Sequence, residues 1–251
     1  MARDVRIIGV DGLPDIVPGM DLAEVITTAA RAQGIMFEGG DVLVVTQKIV
    51  SKAEGRLVDV HTITPSPFAY QVAAAQAKDP RIMEIVLRET KRLVRMDQRV
   101  FIAETHHGFV CAHAGVDESN VAGDGVVALL PVDADASARR LREGIQARTG
   151  AELAVIISDT FGRPWREGLV NVAIGVAGLE PLKDYRGMPD TEGRILKVTA
   201  LAVADELASA AELVMGKVER IPVAVIKGYP YPAGEGHTRQ LVRSPEKDLF
   251  R

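Results

Sequence analysis

The stretch Val42–Thr46, read VLVVT, is short, apolar and rich in β-branched side chains, which is typical of a strand buried in a sheet. Seven further runs of this kind occur along the chain, and longer alanine-rich stretches separate some of them. This alternation predicts an α/β fold of the mixed α+β kind. The other predicted strands cover residues 5–10, 57–60, 100–104, 109–112, 126–130, 153–158 and 222–227.

Capping residues predict where several helices begin. Asp21 precedes an alanine-rich stretch and has Glu24 three residues later, which is typical of a helix start, and Gly34 predicts its end. Two more helices are predicted to start at Ser66-Pro67 and at Asp79-Pro80, since proline suits the first helical position.

Residues 199–215 predict a helix that is apolar almost all round. Asp205, Ser209 and Glu212 form its narrow polar stripe, so the helix belongs in the interior or at a subunit interface. Residues 105–108 predict a hairpin connection between two strands. Residues 131–136 are the best candidate for a domain boundary, although the apolar segments on both sides look too similar to belong to separate domains.

Composition excludes several classes of protein. The chain has 251 residues, of which 47% are hydrophobic and 25% charged, so a disordered chain is excluded. The formal charge of -4 gives no electrostatic footprint for nucleic acid or for an anionic membrane. No apolar run approaches the roughly 18 residues of a spanning helix. The single cysteine, Cys111, excludes an internal disulfide, so we expect a cytoplasmic protein from a reducing compartment.

Common phosphate-binding and hydrolase motifs are absent from the sequence: there is no G-x-x-x-x-G-K-[ST], G-x-G-x-x-G, G-x-S-x-G or HExxH. Instead, four polar segments each follow a predicted strand directly, and we expect them to be irregular, as functional chain reversals often are. They cover residues 12–16, 47–56, 114–120 and 158–166.

Two of these segments carry hard oxygen ligands on short side chains. Asp117, Asp159 and the Thr160 hydroxyl suit Mg²⁺ or Mn²⁺. Arg163 and Arg166 lie close by in sequence, and they are candidates for holding anionic substrate groups through bidentate bonds. Oxygen ligands for a divalent ion beside cationic donors are what phosphoryl transfer from a nucleotide requires.

Plainer interpretations compete with these. Residues 117–120 also fit a turn held by its own side chains, Asp159-Thr160 fits a helix N-cap, and residues 51–54 fit a solvated loop. Two other functions also stay open. One is a metal-dependent nucleotide hydrolase or kinase, and the other is a non-catalytic nucleotide-binding interaction module that uses residues 199–215 as its partner surface.

Five stretches resemble the coenzyme F420-0:L-glutamate ligase (F420 gamma-glutamyl ligase) family. They are IVSKAEGR at 49–56, AGVDESN at 114–120, SDTFGRPWR at 158–166, NVAIGVAG at 171–178 and VMGK at 214–217. The resemblance predicts a ligase domain over residues 1–236 and a polar C-terminal tail or linker over 237–251. The end of the chain also resembles the junction to a flavin-dependent reductase domain in bifunctional actinobacterial relatives.

The resemblance implies a GTP-dependent enzyme that adds L-glutamate to F420-0, and by a gamma linkage to F420-1, through an acyl phosphate. It also implies Mg²⁺ or Mn²⁺, K⁺, a family-specific fold and a homodimer. The resemblance implies that Asp117 and Asp159 are ligands of one metal ion and that Thr160 is a ligand of a second ion. With Lys52, the two aspartates form the expected catalytic set.

Nucleotide contacts are implied at Leu13, Pro14, Asp15, Ile16, Gln47, Lys48, Lys52, Asn120, Met215, Gly216, Lys217, Val218, Glu219, Arg220 and Ile221. The sequence departs from some members at two of these places. Gln47-Lys48 replaces Ser-Thr, and Lys217 replaces an acidic metal ligand, which a protonated lysine does not mimic.

Overall fold

Five strands form a mixed sheet at the centre of the fold. They are β1 (Arg6–Val10), β2 (Val42–Thr46), β8 (Ala154–Arg163), β9 (Arg166–Ala177) and β12 (Val223–Lys227). Their spatial order is β1-β12-β2-β8-β9, with β2 and β8 parallel and every other neighbouring pair antiparallel. The computed structural model describes residues 4–118 and 125–248.

Helices cover both faces of this sheet, because alternate strand side chains point to opposite sides. Leu43 and Val45 pack against α1 (Leu22–Ala32), α2 (Gln47–Ala53) and α5 (Ala134–Thr149). Val42 and Val44 pack against α6 (Val203–Met215) on the other face. All four side chains are fully buried, so β2 is a central strand of a three-layer core.

A second, antiparallel sheet is formed by strands within residues 90–112. It consists of β4 (Thr90–Met96), β5 (Phe101–Thr105) and β6 (Val110–Ala112), and it packs on α3 (Pro67–Gln76) and α4 (Pro80–Glu89) around Phe101 and Met83. Two short ribbons pair β3 (Leu57–Asp59) with β7 (Val126–Ala128) and β10 (Lys183–Asp184) with β11 (Ala200–Leu201).

The free edge of β9 is closed by side chains of α6 instead of by another strand. Glu212 accepts the backbone N–H of Asn171 at 3.0 Å, and Asp205 accepts that of Ala173 at 2.9 Å. Ser209 donates its hydroxyl to the carbonyl of Asn171 at 2.7 Å. The polar stripe of this helix therefore satisfies backbone groups that a buried sheet edge would otherwise leave unpaired.

The structure confirms the mixed α/β fold class and all eight predicted strands; seven agree within two residues at each end, and β8 continues five residues further, to Arg163. The helix starts also hold, since the side chains of Asp21, Ser66 and Asp79 accept backbone N–H groups in the first turns of α1, α3 and α4. The buried helix predicted over 199–215 forms from Val203 onward.

Two interpretations of local structure are wrong. Residues 47–53 form α2, in which Ser51 is fully buried, so this segment is neither irregular nor a solvated loop. Residues 158–163 continue β8 and pair with β9, so Asp159-Thr160 is not a helix N-cap. At residues 131–136, the candidate for a domain boundary, α5 starts at Ala134 and packs into the main core.

The chain stays in contact with the core beyond residue 236. Thr238 is buried, and its hydroxyl lies 3.1 Å from the carboxylate of Asp135. Leu241 packs against the core on the α6 face. The division into a domain over 1–236 and a tail over 237–251 stays a prediction. No helix of the described residues has the length and apolarity needed to cross a bilayer.

Candidate active site

The parallel pair β2 and β8 positions the predicted site residues. Thr46 at the end of β2 lies opposite Ser158 on β8, so Lys48 and Asp159 follow at the same edge of the core. The carboxyl ends of neighbouring parallel strands are a common place for ligand sites in α/β proteins. The pairing of β2 with β8 therefore brings together Lys48 and Asp159, which are more than 100 residues apart in the sequence.

Asp117 reaches this edge from a separate segment. Its backbone forms a two-bond bridge with Ala128, with N–O distances of 3.0 and 2.8 Å, and Ala128 belongs to β7. Its carboxylate pairs with the ammonium of Lys48 at 2.7 Å. The ion pair joins the segment around Asp117 to the first turn of α2.

The carboxylates of Asp117 and Asp159 interact electrostatically. Burial raises the pKa of Asp159 to about 6, and the negative charge of Asp117 adds to this rise. The charges of Lys48 and Lys217, with a hydrogen bond from the Thr160 backbone, act in the opposite direction. Two carboxylates that disfavour each other's ionisation form a place where a cation is favoured.

Residues on three elements form a closed hydrogen-bonded ring beside Asp159. Thr160 donates its hydroxyl to the Asn171 side-chain oxygen at 2.7 Å, and Lys217 donates to the Thr160 hydroxyl. Lys217 also pairs with Glu212 at 3.0 Å, and Glu212 holds the backbone of Asn171. Lys217 therefore already binds the hydroxyl that was expected to be a metal ligand.

A second cationic group surrounds Lys52, in the last turn of α2. Burial lowers the pKa of Lys52, and the charges of Lys48 and Arg220 lower it further, whereas that of Asp15 raises it. Arg220 pairs with Asp15 at 2.6 Å, and both side chains are exposed. The structure thus gathers segments 12–16, 47–56 and 215–221 around one positively charged patch.

The other expected nucleotide contacts differ in exposure. Pro14 is exposed, Leu13 is half-buried against the core, and Ile16 and Met215 are core residues. Gln47 is buried, and its amide donates to the Leu129 carbonyl at 3.3 Å.

The loop after α6 folds back on itself. Gly216 has a φ of 60°, and the Glu219 carboxylate accepts the backbone N–H of Val218 at 2.9 Å. This contact lowers the pKa of Glu219. Ile221 leaves the loop and packs close to Gly9 of β1. Asn120 lies outside the described residues.

Arg163 and Arg166 lie at the far end of the β8–β9 hairpin. Arg163 is four residues beyond Asp159, or about 13 Å along a strand. Its guanidinium donates to the carbonyls of Glu167 and Gly168, and the hairpin tip surrounds an open cleft of about 500 Å³. Within one chain, therefore, the structure does not bring these arginines to the carboxylates.

Sequence reasoning assigned no site role to Asn171 and Glu212. Asn171 opens the stretch at 171–178, and Glu212 belongs to the polar stripe of α6, so both signals were visible without indicating a meeting point. The free thiol of Cys111 on β6 is half-buried. Burial and the nearby charge of Asp159 raise its pKa to about 12, so the thiol stays protonated and unreactive.

Asp117 and Asp159 offer carboxylate oxygens of the kind that hard divalent ions take. No cluster of three His, Cys, Asp or Glu side chains suited to a metal occurs within 4–118 and 125–248. Asp117 and Asp159 nevertheless form a carboxylate pair with a cation-favouring field, and Mg²⁺ commonly binds through one or two carboxylates plus substrate phosphates. These two residues therefore suit an ion that arrives with a nucleotide.

Comparisons with known proteins agree on one family. A family model described as F420-0:Gamma-glutamyl ligase matches residues 12–228. The chain is 47% identical over 250 residues to the coenzyme F420:L-glutamate ligase of Methanothermobacter thermautotrophicus, covering 98% of this chain and 99% of that relative. It is 47% identical to the enzyme of that name from Methanopyrus kandleri, covering 93% and 92% of the two chains. For the Methanocaldococcus jannaschii enzyme the identity is 42%, covering 99% and 98%.

Proposed function

Because the chain belongs to the F420-0:gamma-glutamyl ligase family, we propose that it joins L-glutamate to the carboxylate of coenzyme F420-0 and extends the product by a gamma linkage, using GTP. The chain is a ligase. The observation that carries the proposal is the meeting of the Asp117–Asp159 pair with the cations Lys48, Lys52 and Lys217. Paired carboxylates next to lysines suit a nucleoside triphosphate and its divalent ion.

Asp117 and Asp159 would hold Mg²⁺ or Mn²⁺ at this site. When bound, such an ion neutralises charge on phosphate oxygens and fixes their position. Thr160 does not fit a second ion, because it offers only a neutral hydroxyl that already donates to Asn171 and accepts from the Lys217 ammonium. The proposal also includes K⁺ as a cofactor, because the family resemblance implies it.

The reaction needs an activated acceptor, since a free carboxylate is a poor electrophile for an amine. An oxygen of the F420-0 carboxylate attacks the γ-phosphorus, and the bond to the β-phosphate oxygen breaks with its electrons left on GDP. The amine of L-glutamate then attacks the acyl carbon of the acyl phosphate, loses a proton and expels inorganic phosphate with the C–O electron pair. Lys52 and Lys48 offset the negative charge of the phosphates during the first transfer.

The expected homodimer is supported by the β8–β9 hairpin. Trp165 at its tip is 78% exposed and Leu169 is 64% exposed, which is costly for large apolar side chains in water. A second copy of the chain that covers this hairpin would bury both residues. Such an arrangement would also place Arg163 and Arg166 near a neighbouring chain.

Product analysis by mass spectrometry tests the proposed reaction. The protein incubated with F420-0, GTP, Mn²⁺ and L-glutamate should give species heavier by one and then two glutamates, with GDP released. The Asp159→Asn variant should give none, whereas Asp184→Asn, in an exposed ion pair with Arg186, should keep full activity. GTP hydrolysis that proceeds equally without F420-0 would instead indicate a nucleotide hydrolase, and GTP binding without turnover an interaction module.

A further inference from the structure

Three side chains that carry oxygen atoms lie beside the proposed metal pair, and two of them contact a lysine ammonium. The hydroxyl of Thr160, the side-chain oxygen of Asn171 and the carboxylate of Glu212 come from β8, β9 and α6. Hydroxyl, amide and carboxylate oxygens are the donors that hard cations take in proteins. Lys217 supplies its positive charge to this set by contacting Thr160 and Glu212.

Most hydrogen-bonding positions of Thr160 and Glu212 are already occupied. The Thr160 hydroxyl donates to Asn171 and accepts from Lys217, which leaves it one lone pair. One oxygen of Glu212 faces Lys217 and the other holds the backbone N–H of Asn171. Lys217 already neutralises the Glu212 carboxylate, so this carboxylate adds no net negative charge for a second divalent ion, and an ion placed on Thr160 would lie against the ammonium.

We propose that the Lys217 ammonium takes the place of a second divalent ion at Thr160, so that the site binds one such ion, on Asp117 and Asp159. This inference rests on the proposed function. The Lys217 side chain is 58% exposed, so its remaining N–H donor is open to an anionic oxygen of the nucleotide. Lysine acts there as a point charge on phosphate, without coordination chemistry.

Counting bound Mn²⁺ tests the inference without any turnover. Equilibrium dialysis, or the electron paramagnetic resonance signal of free Mn²⁺, is measured with a non-hydrolysable GTP analogue. The wild-type chain should bind one ion. Thr160→Val should keep both this count and the affinity within about twofold, whereas Asp159→Asn should lose the ion.

Lys217→Asp supplies a carboxylate in place of the ammonium and should raise the count to two. Lys247→Asp, the same change at an exposed lysine of the C-terminal segment, should keep one. Two ions in the wild type, or a weakening of more than tenfold in Thr160→Val, would overturn the inference but not the proposed reaction. A wild-type chain that binds no Mn²⁺ with the analogue would overturn both.

Discussion

The carboxylate of Glu212 on α6 accepts the backbone N–H of Asn171 on β9 at 3.0 Å. This bond joins the helix to the strand that carries part of the candidate site. We predict that Glu212→Ala lowers the free energy of unfolding by about 1–3 kcal/mol, because a buried N–H loses its acceptor. Urea denaturation measures the change.

The control for this prediction lies on the same helix. Glu206 is exposed, so Glu206→Ala should change stability by less than about 0.5 kcal/mol. Glu212→Gln keeps an acceptor oxygen and should lie between the two. Equal stability of the two alanine variants would show that the contact contributes nothing.

Asp159 makes the stability of the metal-free protein depend on pH. Its pKa is about 6 in the folded chain, against an ordinary value of 3.8, because burial disfavours the charged form. Between those values the folded state binds more protons than the unfolded state, so stability falls as pH rises through this window. Asp159→Asn removes the penalty and should stabilise the protein by about 3 kcal/mol at pH 8.

The same substitution should have almost no effect on stability at pH 4, where the wild-type side chain is protonated in the folded chain. Thermal unfolding at both pH values, with a chelator present, makes the comparison. A variant that is less stable than the wild type at pH 8 would contradict the assigned cause of the pKa shift.

Three consecutive residues before Asp117 adopt left-handed backbone. His113, Ala114 and Gly115 have φ values of 49°, 52° and 73°. At Gly115 an added Cβ would lie 2.9 Å from Leu130, in addition to the backbone strain. We predict that Gly115→Ala costs about 2–3 kcal/mol of stability and weakens Mn²⁺ binding, because it shifts Asp117.

Gly150→Ala is the matched control for that turn. Gly150 has the same φ of 73°, but nothing lies within 4 Å of an added Cβ. Its substitution should cost only about 1 kcal/mol and leave the Mn²⁺ affinity unchanged. Ala114→Gly should be neutral or stabilising, since glycine adopts this conformation freely. Titration calorimetry and denaturation together separate the two effects.

Lys52 should affect nucleotide binding more than stability. Its charge is partly desolvated next to Lys48 and Arg220, so the free protein concentrates positive potential there. Lys52→Met should weaken binding of the GTP analogue about tenfold, while Lys52→Arg should recover part of the loss. Unchanged affinity in Lys52→Met would remove this residue from the nucleotide site.

The exposed hairpin predicts the oligomeric state. Replacing Trp165 and Leu169 by serine removes the two large apolar side chains at its end. A dimer that buries them should then be weaker and dissociate at higher protein concentrations than the wild type. Sedimentation velocity across a concentration series measures this. If the wild type and the double variant both sediment as monomers, the hairpin does not hold a dimer.

Much of the fold could be predicted from local patterns, whereas the site could be predicted only in part. The β-branched run at Val42–Thr46 and the caps at Asp21, Ser66 and Asp79 act locally, so they identified strands and helix starts correctly. Strand β4 was not predicted because three of the seven residues in its sequence, TKRLVRM, are charged and most of them face solvent. Strand β9 was not predicted either. Its first residues are exposed, and its second half is buried beneath α6.

The ring of Thr160, Asn171, Glu212 and Lys217 could not be predicted for a physical reason. Its members approach through a strand pair and a helix that packs across it, contacts which have no local signature. The sequence shows that Lys217 stands where some family members have an acidic residue. Only its contact with Thr160 shows which group it neutralises.

The parallel alignment of Thr46 with Ser158 has a consequence for how this enzyme could change over time. Sliding one strand by a single residue would turn Asp159 to the opposite face and pull it away from Lys48. Insertions or deletions inside β2 or β8 would thus destroy catalysis even if the molecule still folded. New substrate preferences are therefore more readily gained in the outer loops than in the strands that carry the charge pair.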